Sequence, residues 1–128
     1  MKVPTDRKYS ETHEWYLIDD DNVTVGITQY AADELTDITY VELPEVGTTV
    51  AAGDQLGEVE SVKATSEIFT AVGGEVIEVN TALVDHPELI NDDAFEEGWI
   101  VKIRPNSTEP LTALLDAKEY RLYVRNAG

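Results

Sequence analysis

A chain of 128 residues with 42% hydrophobic residues can form one domain with its own core. Its net charge of -17, from 26 acidic residues against 9 Lys and Arg, would repel nucleic acid and anionic membranes, so we expect neither as a partner. Without cysteine the chain has no disulfide, thiolate metal site or cysteine nucleophile, and no run approaches the roughly 18 apolar residues of a membrane helix.

Short runs of strand-forming residues, separated by turn residues, fill the first hundred positions. Residues 13–18 and 23–28 flank the turn sequence DDDN and predict a hairpin, and residues 29–35 predict a short helix. Further strands are predicted at 39–44, 48–61, 66–72, 74–80 and 98–105. The pattern indicates a mainly β fold in a single domain, 1–128.

Residues 106–128 differ from the rest of the chain in their pattern. Ser107 or Thr108 can cap a helix whose first turn contains Pro110. Leucines follow at near-helical spacing, namely Leu111, Leu114, Leu115 and Leu122. The pattern predicts one C-terminal amphipathic helix packed on the β core.

Two segments of the chain resemble each other weakly. Residues 46–61 (VGTTVAAGDQLGEVES) and 72–90 (VGGEVIEVNTALVDHPELI) share a Val-Gly start, an alternation of apolar and polar residues and a later leucine. They predict two similar hairpin units with Lys63 at their junction.

Lys63 is the only Lys or Arg between Lys8 and Lys102, and it falls in the predicted turn between strands 54–61 and 66–72. Four roles compete. The acidic neighbours Glu60 and Glu67 favour the charged amine, which disfavours a Schiff-base lysine. The same acids disfavour phosphate binding, and an exposed ion pair with either glutamate would stabilise the fold by less than about 1 kcal/mol. The fourth role is an acceptor for covalent attachment, which an isolated lysine on a protruding turn suits.

No metal site is predicted. The two histidines, His13 and His86, lie far apart, and neither belongs to a cluster with metal-ligand spacing.

The segment GEVESVKATSEIF (57–69) closely resembles the lipoylation segment of the glycine cleavage system H proteins. Other segments resemble that family in the same order and spacing: HEW (13–15), VGIT (25–28), VELPEVG (41–47), GEVIEVN (74–80), PELIN (87–91), GWIVKI (98–103) and LLDAKEY (114–120). The resemblance covers nearly the whole chain.

This resemblance implies a barrel-sandwich hybrid of two small antiparallel sheets, of the lipoyl- and biotinyl-carrier type, with a helix near the C-terminus. It also implies that Lys63 carries lipoate in amide linkage. The protein would be a carrier without catalytic activity, expected to be monomeric and cytoplasmic, or in the mitochondrial matrix if a transit peptide has been removed.

The implied partners are four enzymes. A pyridoxal-phosphate glycine decarboxylase would load an aminomethyl group, a tetrahydrofolate-dependent aminomethyltransferase would take it, and dihydrolipoyl dehydrogenase would reoxidise the arm. A lipoate-attaching enzyme would modify Lys63 beforehand.

Members of the family hold the aminomethyl-lipoyl group in a cleft. The resemblance places Glu14 and Glu67 in that cleft, with a hydroxyl from Thr12. Two alternatives stay open: Glu14 as a solvated strand residue, and Glu67 as part of the surface that the attaching enzyme recognises.

Three other functions compete with this one. A biotin carboxyl carrier characteristically has Met before its lysine, where this chain has Val62. An H-like protein could instead donate lipoyl groups to other complexes. A β-rich interaction domain would leave Lys63 unmodified.

Overall fold

Two antiparallel sheets form the framework of the protein, which is described here by a computed structural model covering residues 2–127. The first sheet has six strands in the order β1-β2-β3-β9-β8-β5, and the second has three in the order β4-β6-β7. The strands are β1 (Lys8–Tyr9), β2 (Glu14–Asp19), β3 (Asn22–Ile27), β4 (Ile38–Glu42), β5 (Thr49–Val50), β6 (Gln55–Ser61), β7 (Thr65–Phe69), β8 (Gly74–Val79) and β9 (Val101–Pro105). The predicted mainly β fold with two antiparallel sheets is confirmed.

The first helix has the bounds that the sequence predicts, and the first two long strands lie within one residue of theirs. Strands β2 and β3 form the predicted hairpin, with Asp19 paired to Asn22 across the turn. Helix α1 spans Gln29–Leu35, and the Thr28 side chain caps it by accepting a hydrogen bond from the N–H of Ala31. The last strand is shorter than predicted, because β9 begins only at Val101.

The first weakly similar segment is divided between the two sheets. A turn at 51–54, in which Gly53 has φ 92°, separates β5 in the first sheet from β6 in the second.

The second weakly similar segment leaves its sheet at Asn80. The Asn80 side chain donates hydrogen bonds to the carbonyls of Glu97 and Trp99, and the short helices α2 (Ala82–Asp85) and α3 (Leu89–Asp92) follow. The prediction of two similar hairpins is therefore wrong.

The predicted C-terminal helix is two separate helices. A 3₁₀ helix covers Glu109–Ala113, and helix α4 covers Ala117–Ala127. Between them Leu115 is extended, because its N–H and C=O both pair with the backbone of Tyr9. Helix α4 begins with a reciprocal cap, in which the backbone N–H groups of Asp116 and Glu119 each donate to the other's carboxylate.

The buried face of α4 also differs from the predicted leucine stripe. Ala117, Tyr120 and Val124 are buried, whereas Leu122 is exposed. Tyr120 stacks on Tyr9 of β1, with ring centroids 4.9 Å apart. Helix α4 thus packs on the β core as predicted, but through other side chains.

Successive residues of β2 serve two different cores, because side chains alternate between the faces of a strand. Tyr16 belongs to the core that includes Val59 and Ile68 of the second sheet. Trp15 belongs to a second core, with Phe95 and residues of α4. None of the helices within residues 2–127 is long and apolar enough to cross a membrane.

Candidate functional site

Lys63 lies in the turn that joins β6 to β7, as predicted. The turn makes hydrogen bonds within itself: the N–H of Ser61 donates to the C=O of Ala64 at 2.8 Å. The Ser61 hydroxyl oxygen accepts from the N–H of Lys63 at 3.3 Å and of Ala64 at 3.1 Å. The backbone under the lysine is therefore fixed by its own neighbours.

The Lys63 side chain is exposed at this tip, next to Val62, which is 68% exposed. Within residues 2–127, no carboxylate oxygen lies within 4.0 Å of its amine, so the ion pair with Glu60 or Glu67 does not form. An accessible, unpaired primary amine is what an acylating enzyme requires.

A groove of about 440 Å³ lies next to the Lys63 turn. One wall is the N-terminal half of β7 with Phe69, and the other is the segment that leads into β2. The lining residues are Glu11, Thr12, His13, Thr65, Ser66, Glu67 and Phe69. Since Thr65 is two residues from Lys63, the groove begins within about 7 Å of the lysine Cα.

The structure therefore brings two of the predicted site residues, Thr12 and Glu67, onto one groove. Both offer hydrogen-bond acceptors to a group that enters it.

Glu14 lies beneath this groove and does not line it. Its side chain is only 1% exposed, which excludes a solvated strand residue. The hydroxyls of Ser10 and Thr12 donate to Oε1, and the N–H of Phe69 donates to Oε2 at 3.2 Å. Burial raises the pKa of Glu14 and the three donors act in the opposite direction, with burial the larger effect.

Tyr16 makes a second contact between β2 and the same residue of β7. Its hydroxyl donates to the C=O of Phe69 at 2.8 Å. Burial, with a smaller contribution from the Glu14 carboxylate, raises the pKa of Tyr16, so the hydroxyl keeps its proton and remains a donor. Both backbone groups of Phe69, on an edge strand of the second sheet, are thus held by side chains of the first sheet.

His13 is a groove residue that sequence analysis treated only as a poor metal ligand. Its backbone is left-handed, with φ 72°, and its Nδ1 is 2.8 Å from the hydroxyl of Tyr120 in α4. Burial lowers the pKa of His13, which favours the neutral ring in this position. The C-terminal helix therefore supports one wall of the groove.

Sequence analysis missed Ser10, Tyr16 and His13 as site residues. Ser10 and Tyr16 carry no motif and become recognisable only when β2 faces β7. The role of His13 depends on its left-handed backbone, which the sequence does not reveal. Among residues 2–127, no group of three or more His, Asp or Glu side chains is placed to hold a metal ion.

Carboxylates line the outer side of the lysine hairpin. Glu58 of β6 is paired in register with Glu42 of β4 on one side and with Glu67 of β7 on the other. Like charges placed opposite each other destabilise a sheet slightly. Lys63 thus projects from a strongly acidic surface.

Two small antiparallel sheets that present an exposed lysine on a hairpin tip beside a groove are the arrangement that a carrier of a lysine-linked group would need. The family model described as "Glycine cleavage H-protein" matches residues 7–127. The chain belongs to this family and is therefore a carrier component of the glycine cleavage system.

Individual relatives agree with this assignment. The chain is 51% identical over 121 residues to the glycine cleavage system H protein of a Thermus thermophilus strain, and the match covers 94% of both chains. It is 47% identical over 124 residues, 97% of both chains, to that of Anaeromyxobacter sp. strain K. The crystal structure of a glycine cleavage system H protein from Mycobacterium marinum matches with a TM-score of 0.87 at 41% identity, over 98% of this chain and 100% of that one.

Proposed function

We propose that Lys63 is acylated by lipoate and that the protein carries the aminomethyl group from glycine decarboxylase to the tetrahydrofolate-dependent aminomethyltransferase. The same arm would pass electrons to dihydrolipoyl dehydrogenase, and the setting would be the cytoplasm. The observation that carries the proposal is the exposed, unpaired Lys63 amine on a rigid turn next to a groove.

The residues present fit a lipoyl group. The chain contains no cysteine, so thiol chemistry has to be supplied from outside. Lipoate, when bound, supplies a disulfide that is reduced and reoxidised. Lys63 would act as the nucleophilic amine once: its neutral form would attack the activated carboxyl group of lipoate, the amide bond would form as the bond to the activating group breaks, and the amine would lose a proton. Afterwards it would act as a flexible tether.

The groove residues would hold the amine cargo between enzymes. Glu67 offers a carboxylate and Thr12 a hydroxyl oxygen from opposite walls, and both can accept hydrogen bonds from a protonated amine. Glu14 would act from below: it orients the Thr12 hydroxyl and fixes the N–H of Phe69. Phe69 would shield this part of the groove from water.

Tethering also explains how one carrier can serve several enzymes. A group attached to the tip of a hairpin has a high effective concentration at whichever enzyme is docked. The carrier itself then needs only to present the arm and protect its cargo.

The experiment that tests the attachment is an intact mass measurement. Protein produced in a lipoate-competent host should gain one lipoyl adduct, and Lys63→Ala should gain none although its other lysines remain. An unmodified wild-type protein, with an attaching enzyme shown to be active on another substrate, would contradict the proposal.

A second stage tests the groove. With Lys63 acylated, Glu67→Gln should accept the cargo from glycine decarboxylase but retain it for a shorter time in the absence of the other enzymes. Equal retention in wild type and variant would remove Glu67 from the groove's function and leave the attachment at Lys63 unaffected.

A further inference from the structure

The turn that carries Lys63 is also held from outside, by a segment of the chain that starts at Thr36. The N–H of Val62 donates to the C=O of Asp37 at 3.1 Å. This bond lies just beyond the last pair of the β4–β6 ladder, Ile38 with Ser61. It therefore extends the ladder by one bond, onto the residue directly before Lys63.

Residues 36–38 have an unusual conformation. Thr36 has φ 63° and ψ -140°, a combination that a β-branched residue rarely adopts. The register between β4 and β6 also shifts between Ile38 and Tyr40. Local strain of this kind persists only where the surrounding structure enforces it.

The side chain of Asn91, in α3, enforces this conformation. Its Nδ2 donates to the C=O of Thr36 at 2.7 Å, and its Oδ1 accepts from the N–H of Ile38 at 3.0 Å. The two bonds bracket Asp37, whose own C=O is directed at Val62. The backbone of Asn91 is held in turn, because Gln29 donates to its C=O at 2.9 Å.

We propose that Asn91 is a positioning residue for the lysine arm. It clamps residues 36–38, so that the C=O of Asp37 fixes Val62 and thereby the direction in which Lys63 leaves the body. The inference rests on the proposed attachment of lipoate to Lys63, and it explains why the segment PELIN, remote in sequence from the hairpin, ends in an asparagine.

The chain offers a matched control in Asn80. Its side chain also donates to two backbone carbonyls, those of Glu97 and Trp99, and accepts from the N–H of Ala82. It has no hydrogen bond with residues 36–38 or 61–64. Asn91→Ala and Asn80→Ala therefore each delete a side chain that both donates to and accepts from the backbone. Only the segment bound by Asn91 is hydrogen-bonded to the Lys63 turn.

The first readout is amide hydrogen exchange in the complete, unmodified protein. Asn91→Ala should speed exchange of the Val62 N–H about fivefold more than the change in global stability accounts for. A factor of this size corresponds to weakening one hydrogen bond of ordinary strength, the bond from Val62 to Asp37. Asn80→Ala should change exchange at Val62 only by its effect on global stability.

The second readout is the kinetics of lipoate attachment. Asn91→Ala should lower kcat/KM of the attaching enzyme by about fivefold, and Asn80→Ala by less than about twofold. Should Asn91→Ala fail to fold, Asn91→Asp serves instead, since it keeps the acceptor for Ile38 and loses the donor to the carbonyls of Thr36 and Ala32.

Two outcomes are distinguishable. If the wild type acquires no lipoyl group, the proposed function fails. If the wild type is modified normally, but the Asn91 variant matches the Asn80 variant in both readouts, only the positioning role of Asn91 is overturned.

Discussion

Most hydrogen bonds of the lysine turn lie within four consecutive residues, 61–64, whereas the groove beside it joins segments more than fifty residues apart. The contact between Phe69 and Glu14 spans 55 positions of the sequence. The turn depends on backbone geometry, on one serine, and on a single bond from outside, in which the N–H of Val62 donates to the C=O of Asp37. The groove depends on polar side chains of β2 that reach across to β7.

The position of the lysine and the shape of the groove therefore rest on different parts of the chain. The position of Lys63 follows from the hairpin and from the hydrogen bond between Val62 and Asp37. The shape of the groove follows from how the two sheets face each other. A variant can therefore damage one property and spare the other.

The largest expected effect is a loss of stability when Gly57, in strand β6 of the lysine hairpin, is replaced. A Cβ at this position would overlap the carbonyl oxygen of Glu42, a backbone atom that cannot move aside without disturbing the β4–β6 pairing. Gly57→Ala should lower the free energy of unfolding by about 3 kcal/mol in urea denaturation.

Gly53 provides the control for this variant. Its φ of 92° disfavours alanine, but no heavy atom lies within 4 Å of an added Cβ. Gly53→Ala should therefore lower the free energy of unfolding by only about 1 kcal/mol. Equal losses in the two variants would show that the close approach of the Glu42 backbone does not restrict the side chain at position 57.

Sequence analysis predicted the hairpin well because its signals are contiguous. The strand pattern, the turn and the isolated Lys63 all fall within about fifteen residues. The C-terminal region was predicted less well, because the strand-like pairing of Leu115 with Tyr9 is a contact between the two ends of the chain. Leucine spacing alone could not reveal it.

The groove was predictable only in part. Family resemblance selected Thr12, Glu14 and Glu67, and the structure places Thr12 and Glu67 on one groove. The resemblance did not indicate that Glu14 lies beneath the residues lining the groove, because its burial depends on how β2 packs against β7. The contact of Tyr16 with Phe69 and the clamp made by Asn91 depend on tertiary packing in the same way.

A smaller effect is expected from removing one hydroxyl under the groove. Tyr16→Phe deletes the donor to the C=O of Phe69, a groove residue, and Tyr9→Phe deletes the equivalent donor to the C=O of Pro4, which does not line the groove. Each variant should lose about 1 kcal/mol of stability in chemical denaturation. Only Tyr16→Phe should also speed hydrogen exchange at the N–H of Phe69.

This pair tests whether β2 controls the groove wall. If both variants change exchange at Phe69 equally, the tyrosine contributes to stability alone, and the wall of the groove does not depend on it.

The smallest effect concerns the charge of Glu14. Because burial raises its pKa above the ordinary 4.5, the folded protein binds this proton more tightly than the unfolded chain does. The resulting stabilisation is complete below pH 4.5 and is lost as the pH rises through the raised pKa. Glu14→Gln cannot titrate, and its amide can accept from Phe69 while donating to the hydroxyls of Ser10 and Thr12.

The free energy of unfolding of the wild type, relative to Glu14→Gln, should therefore fall as the pH rises from 4.5, by at most about 1.4 kcal/mol per pH unit. Urea denaturation of both proteins over this range measures the difference. A constant difference would mean that the three donors offset burial completely. Glu14 would then ionise like an ordinary glutamate, and its negative charge at neutral pH would lie beneath Thr12, in addition to the charge of Glu67 on the groove wall.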